Sequence, residues 1–325
     1  MRTLIIHNPK SGFGSDAVWQ FQRALLKPGD ECVMRILEST TDPSDATADA
    51  EDFDLVVVSG GDGTAASLLF ALRNRNVPTC VFPSGTANLL CANIGNAPEP
   101  QALARACRMG NVAKLDMGEI SWTATDGDRE SHGFALMSGT GFDAQLMQAA
   151  LPNKKAMGEA AYFAAALANP RPTVAHFSIT VDGTTHECDG ISCMVANTAT
   201  IQGDINIVPN CRMDDGQLDV IVITTKRMTD LVRPVLFGLL DHEGNSIGRP
   251  SIKSFRGRDI RVESSVPIPI EVDGEVIPGT VSSYEAHVLT HSCTMVVDAM
   301  SPYGKSLDKD KSRFGGTAEV AYPEQ

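Results

Sequence analysis

The chain has 325 residues, of which 42% are hydrophobic and 21% are charged. These proportions are ordinary for a soluble globular protein, and the length favours about two domains. The net charge of −13 argues against a nucleic-acid partner, which would require a basic surface. It also disfavours general attraction to anionic membranes, so any membrane contact would depend on a local basic or apolar patch.

Strand-like and helix-like segments alternate over residues 1–118. Short apolar runs predict strands at 3–7, 31–37, 55–59 and 79–82, and helix-forming runs predict helices at 17–26, 43–50, 65–73, 88–93 and 100–109. This alternation predicts an α/β domain with a parallel sheet flanked by helices. A ligand crevice is then expected beyond the carboxyl ends of the strands, where the loops after Ile6, Ser59 and Phe82 emerge.

After Asp116 the pattern changes to short strand-like segments with Asp-Gly turn signals at 126–127, 182–183, 215–216 and 273–274. Residues 119–298 therefore predict a mostly β, sandwich-like domain, interrupted by apolar helices near 154–167 and 229–240. Residues 299–325 mix charge, glycine and proline without periodicity. We expect this tail to be partly disordered or to pack on the first domain.

No segment of the sequence predicts passage through a membrane. The first apolar run is too short for a signal peptide, and the longest near-apolar stretch, residues 160–168, is about half the length of a bilayer span. Eight cysteines are scattered among apolar neighbours, with no CxxC pair and no zinc-like His spacing. We therefore expect a cytoplasmic protein whose thiols are reduced and mostly buried.

Residues 60–64 read Gly-Gly-Asp-Gly-Thr between a predicted strand and a predicted helix. Glycines let main-chain N–H groups approach a phosphate, and the helix N-terminus adds partial positive charge. A carboxylate beside a triphosphate repels it unless a cation lies between them, so Asp62 indicates a magnesium nucleotide. The alternative is a tight turn in which Asp62 caps a helix. We favour the phosphate site because the chain has no GxxxxGK[ST] motif and no GxGxxG at its first strand.

Two further polar loops follow the first and fourth predicted strands. Residues 8–14 read NPKSGFG, where Lys10 can neutralise phosphate oxygens and Asn8 and Ser11 can bond to the ribose or phosphates. Residues 83–88 read PSGTAN and offer similar chemistry. A single loop of this kind is a modest signal, whereas several at neighbouring strand ends favour a nucleotide site.

These loops, in this order and spacing, resemble the diacylglycerol kinase catalytic-domain family, which includes bacterial soluble lipid kinases and is related to the sphingosine and ceramide kinases. The resemblance continues through SGTGFDA at 138–144, PN at 209–210, MDDGQLD at 213–219 and VDGE at 272–275. It covers residues 2 to 298, and the ordered set is much more specific than any single motif.

The resemblance implies an ATP-dependent kinase that transfers the γ-phosphoryl group to the hydroxyl of diacylglycerol or a similar lipid alcohol. It implies a catalytic role for Asp62 and for Glu275, which matches the family's proposed base; a lone DGE would more often be an exposed hairpin carboxylate. The implied nucleotide contacts are Asn8, Lys10, Thr40, Gly60, Gly61, Asp62, Gly63, Thr64, Ala65, Ala66 and Thr86.

The resemblance also implies a structural Mg²⁺ held by the Asp215 carboxylate and by the main-chain carbonyls of Arg212 and Gln217. The residues themselves favour a β-hairpin turn around 215–216, and the two interpretations are compatible. A turn brings carbonyls together, and a hard cation prefers oxygen ligands.

The chain departs from the family's usual pattern behind two of the loops. Family members often continue GGDGT with a polar residue and then Asn-Glu, where this chain has Ala65, Ala66 and Ser67, and Asp often follows GTxN, where it has Leu89. A catalytically impaired nucleotide- or lipid-binding protein is therefore an alternative. An NAD kinase-like phosphotransferase is another, because that group shares GGDGT.

The lipid-facing surface is not defined by the sequence. Lys253, Arg256, Arg258 and Arg261 form a cationic stretch that would attract anionic headgroups by roughly 1 kcal/mol per residue. Their spacing also suits the solvated face of a strand, which we favour. We expect transient, peripheral contact with a membrane surface that carries the lipid substrate, no nucleic-acid partner and no transmembrane segment; a homodimer is left open.

Overall fold

The computed structural model describes residues 1–11, 16–124, 127–141, 173–201, 205–208, 210–224 and 252–304. The first part of the chain contains these elements: β1 (Arg2–His7), α1 (Ala17–Leu25), β2 (Glu31–Ile36), α2 (Pro43–Ala46), a 3-10 turn (Ala50–Asp52), β3 (Leu55–Gly60), α3 (Asp62–Leu72), β4 (Thr79–Pro83), α4 (Leu89–Asn93) and α5 (Pro100–Met109).

The four strands of this part pair in parallel in the order β2-β1-β3-β4. Alternate strand residues face opposite sides, as the two-residue period of a strand requires. Leu4 and Val56 pack toward α3 and α4, whereas Ile5 and Val57 pack toward α1 and α5. The predicted parallel sheet flanked by helices is confirmed.

Helix ends in this part follow local capping chemistry. Helix α5 begins at Pro100, which suits the first helical position, and ends before Gly110, whose φ of +70° is the left-handed conformation that glycine adopts most easily. Helix α3 begins at Asp62, three residues before the predicted start, so the last three residues of GGDGT lie in its first turn, whereas Gly60 ends β3 and Gly61 is the N-cap. Helix α2 is shorter than predicted: Thr47 Oγ1 bonds back to the Pro43 carbonyl at 2.9 Å, a contact that competes with helix continuation.

The second part is β-rich, as predicted. Its strands are β5 (Val112–Thr123), β6 (Arg129–Phe134), β7 (Met137–Gly141), β8 (Ala175–Val181), β9 (Thr184–Gly190), β10 (Ser192–Ala196), β11 (Thr200–Ile201), β12 (Ile205–Asn206), β13 (Leu218–Ile223), β14 (Ile252–Gly257), β15 (Asp259–Val272) and β16 (Glu275–Val296). Inward side chains of β5, β8, β10, β13, β15 and β16 form its apolar core.

Two of the four Asp-Gly signals are hairpin turns. Val181 pairs with Thr184 and Val272 pairs with Glu275, so a two-residue turn lies between the partners in each case. The prediction at 215–216 was wrong, because that turn directly precedes β13 and does not join two paired strands. The signal at 126–127 lies partly outside the described residues, and the predicted helices near 154–167 and 229–240, with the stretch 160–168, lie wholly outside them.

Strand β16 joins the two parts into one sheet. It pairs antiparallel with β15 and β5, and near its end Met295 pairs in parallel with Thr79 of β4. Strand β5 also runs through residue 118, where the sequence predicts the domain boundary. The start of β16 is therefore carried on a strand that is anchored in the first domain's sheet.

The chain after β16 returns to the first domain. Tyr303 is buried in the core cluster that contains Leu90 and Ile94, and Ser301 Oγ donates a 2.6 Å hydrogen bond to the Ile94 carbonyl. These contacts cover residues up to 304; the remaining tail lies outside the described residues.

Two further expectations concern membranes and thiols. Within the described ranges, no helix is both long enough and apolar enough to cross a membrane. All eight cysteines are described, unbridged and mostly buried, as predicted. Burial raises the pKa of the Cys193 and Cys91 thiols to about 12, which keeps them protonated and unreactive at neutral pH.

Candidate active site

A pocket opens at the carboxyl ends of β1, β2 and β3. Its walls come from the loops after β1 and β2, from the start of α3 and from the start of β16, and they include Asn8, Lys10, Glu38, Ser39, Thr41, Gly63, Thr64, Ser67 and Glu275. This is where parallel α/β sheets bind ligands. The pocket therefore joins a residue of the second part, Glu275, to the glycine loop of the first.

Hydrogen bonds between the loops fix the polar wall of the pocket. Asn8 Nδ2 donates to Thr64 Oγ1 at 2.9 Å, and Asn8 Oδ1 accepts from the Lys10 main-chain N–H at 3.0 Å. Lys10 Nζ, which is exposed, donates to Ser39 Oγ at 2.7 Å. The β1 loop thus presents a cation beside the GGDGT loop, which suits binding of phosphate oxygens.

Close packing explains why glycines occupy this loop. A Cβ added at Gly85 would lie 2.6 Å from the Gly61 Cα, so the loops after β3 and β4 touch through two glycines. A Cβ at Gly60 would lie 2.6 Å from Thr64 Cβ. Both distances are shorter than real side chains permit, so the glycines are needed for loop packing in addition to any phosphate contact.

Asp62 caps a helix, but not the helix that contains it. Its Oδ2 accepts from the Leu89 main-chain N–H at 3.1 Å and its Oδ1 accepts from that of Leu90 at 2.9 Å. These are N-terminal groups of α4, which also places partial positive charge beside the carboxylate. The carboxylate is compensated by these amides, so its presence does not by itself indicate a cation.

Glu275 lies at the start of β16, directly after the turn at 273–274. A Cβ added at Gly63 would lie 2.7 Å from its carboxyl carbon, so the carboxylate rests against the GGDGT loop. Glu275 is exposed as a whole residue, yet it lines the same pocket as Lys10 and Thr64. The hairpin therefore directs this carboxylate at the loop rather than at open solvent.

The remaining predicted nucleotide residues occupy different environments. Ala65 and Ala66 are 1% and 2% exposed, so only their main chain can face a ligand. Thr40 and Thr86 are exposed and are not among the residues lining the pocket. Sequence reasoning missed Glu38, Ser39 and Thr41; the signal was present, because β2 also ends at this edge of the sheet.

The departures at 66, 67 and 89 have local structural roles. The Ser67 hydroxyl lines the pocket and donates to the Gly63 carbonyl at 3.0 Å, within its own helix. Leu89 packs against the core cluster of the first domain. Where family members often have an amide and carboxylates, this chain thus has a small side chain at Ala66, a hydroxyl at Ser67 and an apolar contact at Leu89.

The predicted metal ligands form a turn apart from the pocket, since Arg212, Asp215 and Gln217 are not among its lining residues. Asp215 Oδ1 accepts from the Gln217 main-chain N–H at 3.0 Å, and Asp215 Oδ2 is 3.7 Å from Arg256 Nη1. The Arg212 guanidinium pairs with Asp214 at 2.7 Å and lies 4.9 Å from the Tyr303 ring centre.

The donors at this turn fit a hard cation only if main-chain oxygens take part. Among the described residues no group of three or more His, Cys, Asp and Glu side chains is arranged to hold a metal ion. Burial raises the pKa of Asp215, and the nearby charges of Asp219 and Asp116 raise it further. A cation would relieve this repulsion, and Asp215 with the carbonyls of Arg212 and Gln217 would hold it.

The basic stretch is engaged in contacts within the protein. Arg256 pairs with Asp219 at 2.8 Å, Arg258 Nε donates to the Gly216 carbonyl at 3.3 Å, and Arg261 pairs with Glu263 at 2.8 Å. For these three arginines, the contacts favour the solvated face of a strand over a membrane-binding surface.

Comparison with known proteins identifies the family. Residues 2–120 match the family model described as "Diacylglycerol kinase catalytic domain", and residues 137–290 match "YegS C-terminal NAD kinase beta sandwich-like domain". Together the two matches span most of the chain. Residues 2–120 therefore form a diacylglycerol kinase catalytic domain. The resemblance found in its sequence motifs is therefore confirmed, and membership of a kinase family implies a phosphotransferase that uses a nucleotide.

Individual relatives agree with this assignment at low identity. A diacylglycerol kinase of Mycobacterium tuberculosis is 27% identical over 249 residues, which cover 74% of this chain and 77% of the relative. The crystal structure of a diacylglycerol kinase from Bacillus anthracis matches with a TM-score of 0.64 at 18% identity, over 91% of this chain and 97% of that one. Yeast NADH kinase with NADH matches with a TM-score of 0.53 at 11% identity, over 98% and 90%. The structural likenesses show a shared fold.

Proposed function

We propose that this protein is an ATP-dependent lipid kinase that transfers the γ-phosphoryl group to the hydroxyl of diacylglycerol or a similar lipid alcohol. The observation that carries the proposal is the position of Glu275. Its carboxylate rests against Gly63 and shares one pocket with Lys10 and Thr64. A proton acceptor and a phosphate-binding loop therefore meet across the two parts of the chain.

The proposed chemistry divides the work between these groups. A primary alcohol is a poor nucleophile at neutral pH, and the Glu275 carboxylate accepts its proton as the oxygen attacks the γ-phosphorus. The bond from that phosphorus to the β,γ-bridging oxygen breaks, and ADP leaves. Lys10, Asn8 and the N–H groups at the start of α3 bind and orient the phosphates, whose charge they partly neutralise. Mg²⁺ bound with the nucleotide supplies further charge neutralisation.

The proposed setting is the cytoplasm, with transient contact at a membrane that holds the lipid. The negative net charge and the internal pairing of Arg256 and Arg261 support brief contact over stable electrostatic anchoring.

The experiment that tests the proposal supplies Mg-ATP and mixed micelles of candidate lipid alcohols, and measures radiolabelled phospholipid. Glu275→Gln should lower kcat by about 10²- to 10⁴-fold. Glu285→Gln, which changes another carboxylate on the same strand, should retain turnover. Equal turnover by wild type and Glu275→Gln would remove this residue from the mechanism.

Two alternatives have their own supporting observations. The fold shared with yeast NADH kinase supports an NAD kinase-like phosphotransferase, which phosphorylation of NAD with no lipid turnover would establish. The buried Ala66 and the Ser67 hydroxyl bound to its own helix support a catalytically impaired binding protein. A thermal shift with ATP and Mg²⁺, without turnover of any acceptor, would establish that second alternative.

A further inference from the structure

The turn that carries Glu275 has the geometry of a type I′ hairpin. Val272 pairs with Glu275, and the two residues between them, Asp273 and Gly274, have φ angles of +46° and +84°. Type I′ turns favour Asn-Gly and Asp-Gly because both central residues need positive φ. The preference of type I′ turns therefore explains an Asp or an Asn at position 273, but it does not explain why the side chain is a carboxylate.

The Asp273 carboxylate makes contacts that the turn does not require. It accepts hydrogen bonds from three consecutive main-chain N–H groups, those of Ala135 at 2.7 Å, Leu136 at 2.8 Å and Met137 at 3.0 Å. The Asp273 N–H in turn donates to the Met137 carbonyl at 2.9 Å. Both the side chain and the main-chain N–H of Asp273 are thus hydrogen-bonded to residues 135–137, the segment that leads into β7.

Burial makes these bonds important. Asp273 is 8% exposed, and burial raises the pKa of its carboxyl to about 7, although the three N–H groups lower it. An uncompensated charge at such a depth is costly, so the three amides are needed to keep the carboxylate in place. A second carboxylate, Glu271, is fully buried and accepts from the Gly274 N–H at 2.7 Å.

The Glu275 side chain has few contacts of its own that would fix its position. Within the part of the chain that the structure describes, no group donates a hydrogen bond to its carboxylate, and the residue is exposed. Its position against Gly63 therefore depends on the backbone of the turn. Small displacements of a reacting group are expensive in catalysis, where about 1 Å can cost 10²-fold in rate.

We propose that Asp273 is a positioning residue that holds the hairpin, through the N–H groups of residues 135–137, so that the Glu275 carboxylate meets the GGDGT loop. This inference rests on the proposed function, in which Glu275 is the base. Asp273 does not touch the substrate; it acts through the main chain of the turn. Glu271 assists by holding the opposite side of the same turn.

The chain contains a matched control turn. Asp182 and Gly183 form a second two-residue hairpin with φ angles of +47° and +83°, and Asp182 accepts from the Arg258 and Asp259 N–H groups at 3.0 and 2.9 Å. This turn is not part of the pocket. Asp182→Asn therefore makes the same carboxylate-to-amide change at a turn away from the site.

The kinetic test compares Asp273→Asn, Asp182→Asn, Glu275→Gln and the double variant of Asp273→Asn with Glu275→Gln in the full chain. Asp273→Asn should lower kcat by about 10- to 100-fold with little change in the KM for ATP, whereas Asp182→Asn should leave kcat nearly unchanged. The double variant should be no slower than Glu275→Gln alone, because the two residues act as one unit. The proposal would be overturned if the losses of kcat multiplied in the double variant, or if Asp273→Asn and Asp182→Asn lowered kcat equally.

A structural readout separates this inference from the lipid kinase assignment. In crystals of Asp273→Asn the Glu275 carboxyl should lie about 1 Å or more from its wild-type position against Gly63, and an unmoved carboxyl would overturn the inference. Absence of lipid turnover in wild type would count against the proposed function alone. If Asp273→Asn does not fold, Glu271→Gln carries the same comparison from the other side of the turn.

Discussion

Asp62 Oδ1 accepts a 2.9 Å hydrogen bond from the main-chain N–H of Leu90. This single carboxylate connects the GGDGT loop to a helix that begins 27 residues later in the chain, at Leu89. The same two segments also touch where Gly61 packs against Gly85. The loop that faces the pocket and the loop beside it are therefore held together at two points.

Replacing Asp62 should cost stability as well as activity. Asp62→Ala leaves the first N–H groups of α4 without their acceptor, and loss of a helix cap costs about 1 kcal/mol. We expect a decrease in Tm of about 2–4 °C together with weaker ATP binding, measured by thermal unfolding and by calorimetric titration. Asp16→Ala is the control, since Asp16 precedes α1 without making a side-chain cap hydrogen bond. An unchanged Tm with abolished turnover would instead indicate direct participation of Asp62 in the reaction.

Gly63→Ala should separate stability from catalysis. Gly63 lies inside α3, where alanine is favoured by about 1 kcal/mol, but the added Cβ would displace the Glu275 carboxylate. We expect kcat to fall about tenfold or more. In a Glu275→Ala background, where the clash is absent, Gly63→Ala should raise the Tm. Full activity of the single variant would show that Glu275 need not rest on this loop.

Local chemistry made the first part of the fold predictable. Short continuous apolar runs define β1, β3 and β4, and Pro100 and Gly110 mark the two ends of α5, so these elements lie within one or two residues of their predicted positions. Within the pocket, Asn8, Lys10 and Thr64 were also predicted, because they follow strands that end at one edge of the sheet.

Long-range pairing could not be predicted in the same way. The donors to the Asp62 carboxylate lie at the start of another helix, α4, and the three N–H groups that bind Asp273 are more than 130 residues away along the chain. No local pattern encodes either contact. The same is true of Met295, whose pairing with Thr79 merges the two sheets.

Acid should selectively weaken the attachment of the chain's first residue and α5. Hydrogen bonds from Arg108, the Lys27 N–H and the Met1 amino group lower the pKa of Asp30, whose side chain is 8% exposed. A depressed folded-state pKa contributes stability above the unfolded value of 3.8, and that contribution is lost as the pH falls below it. Asp30→Asn should therefore lower the Tm at pH 7 and progressively less toward pH 2. Glu51→Gln, at an exposed position, is the control, and a pH-independent difference for Asp30→Asn would contradict the ionic explanation.

Mg²⁺ alone should stabilise the turn at residues 212–217. Binding to the folded state raises stability by mass action, about 2.7 kcal/mol at a hundredfold excess over Kd, and the measurement is the Tm with and without Mg²⁺ in the absence of nucleotide. Asp215→Asn should abolish the Mg²⁺-dependent shift, whereas Asp45→Asn on α2 should keep it. Arg256→Gln should lower the metal-free Tm, because it removes the ion pair with Asp219, but should enlarge the shift, because the guanidinium 3.7 Å from Asp215 competes with the ion. Identical shifts in all four proteins would exclude Asp215 as a ligand.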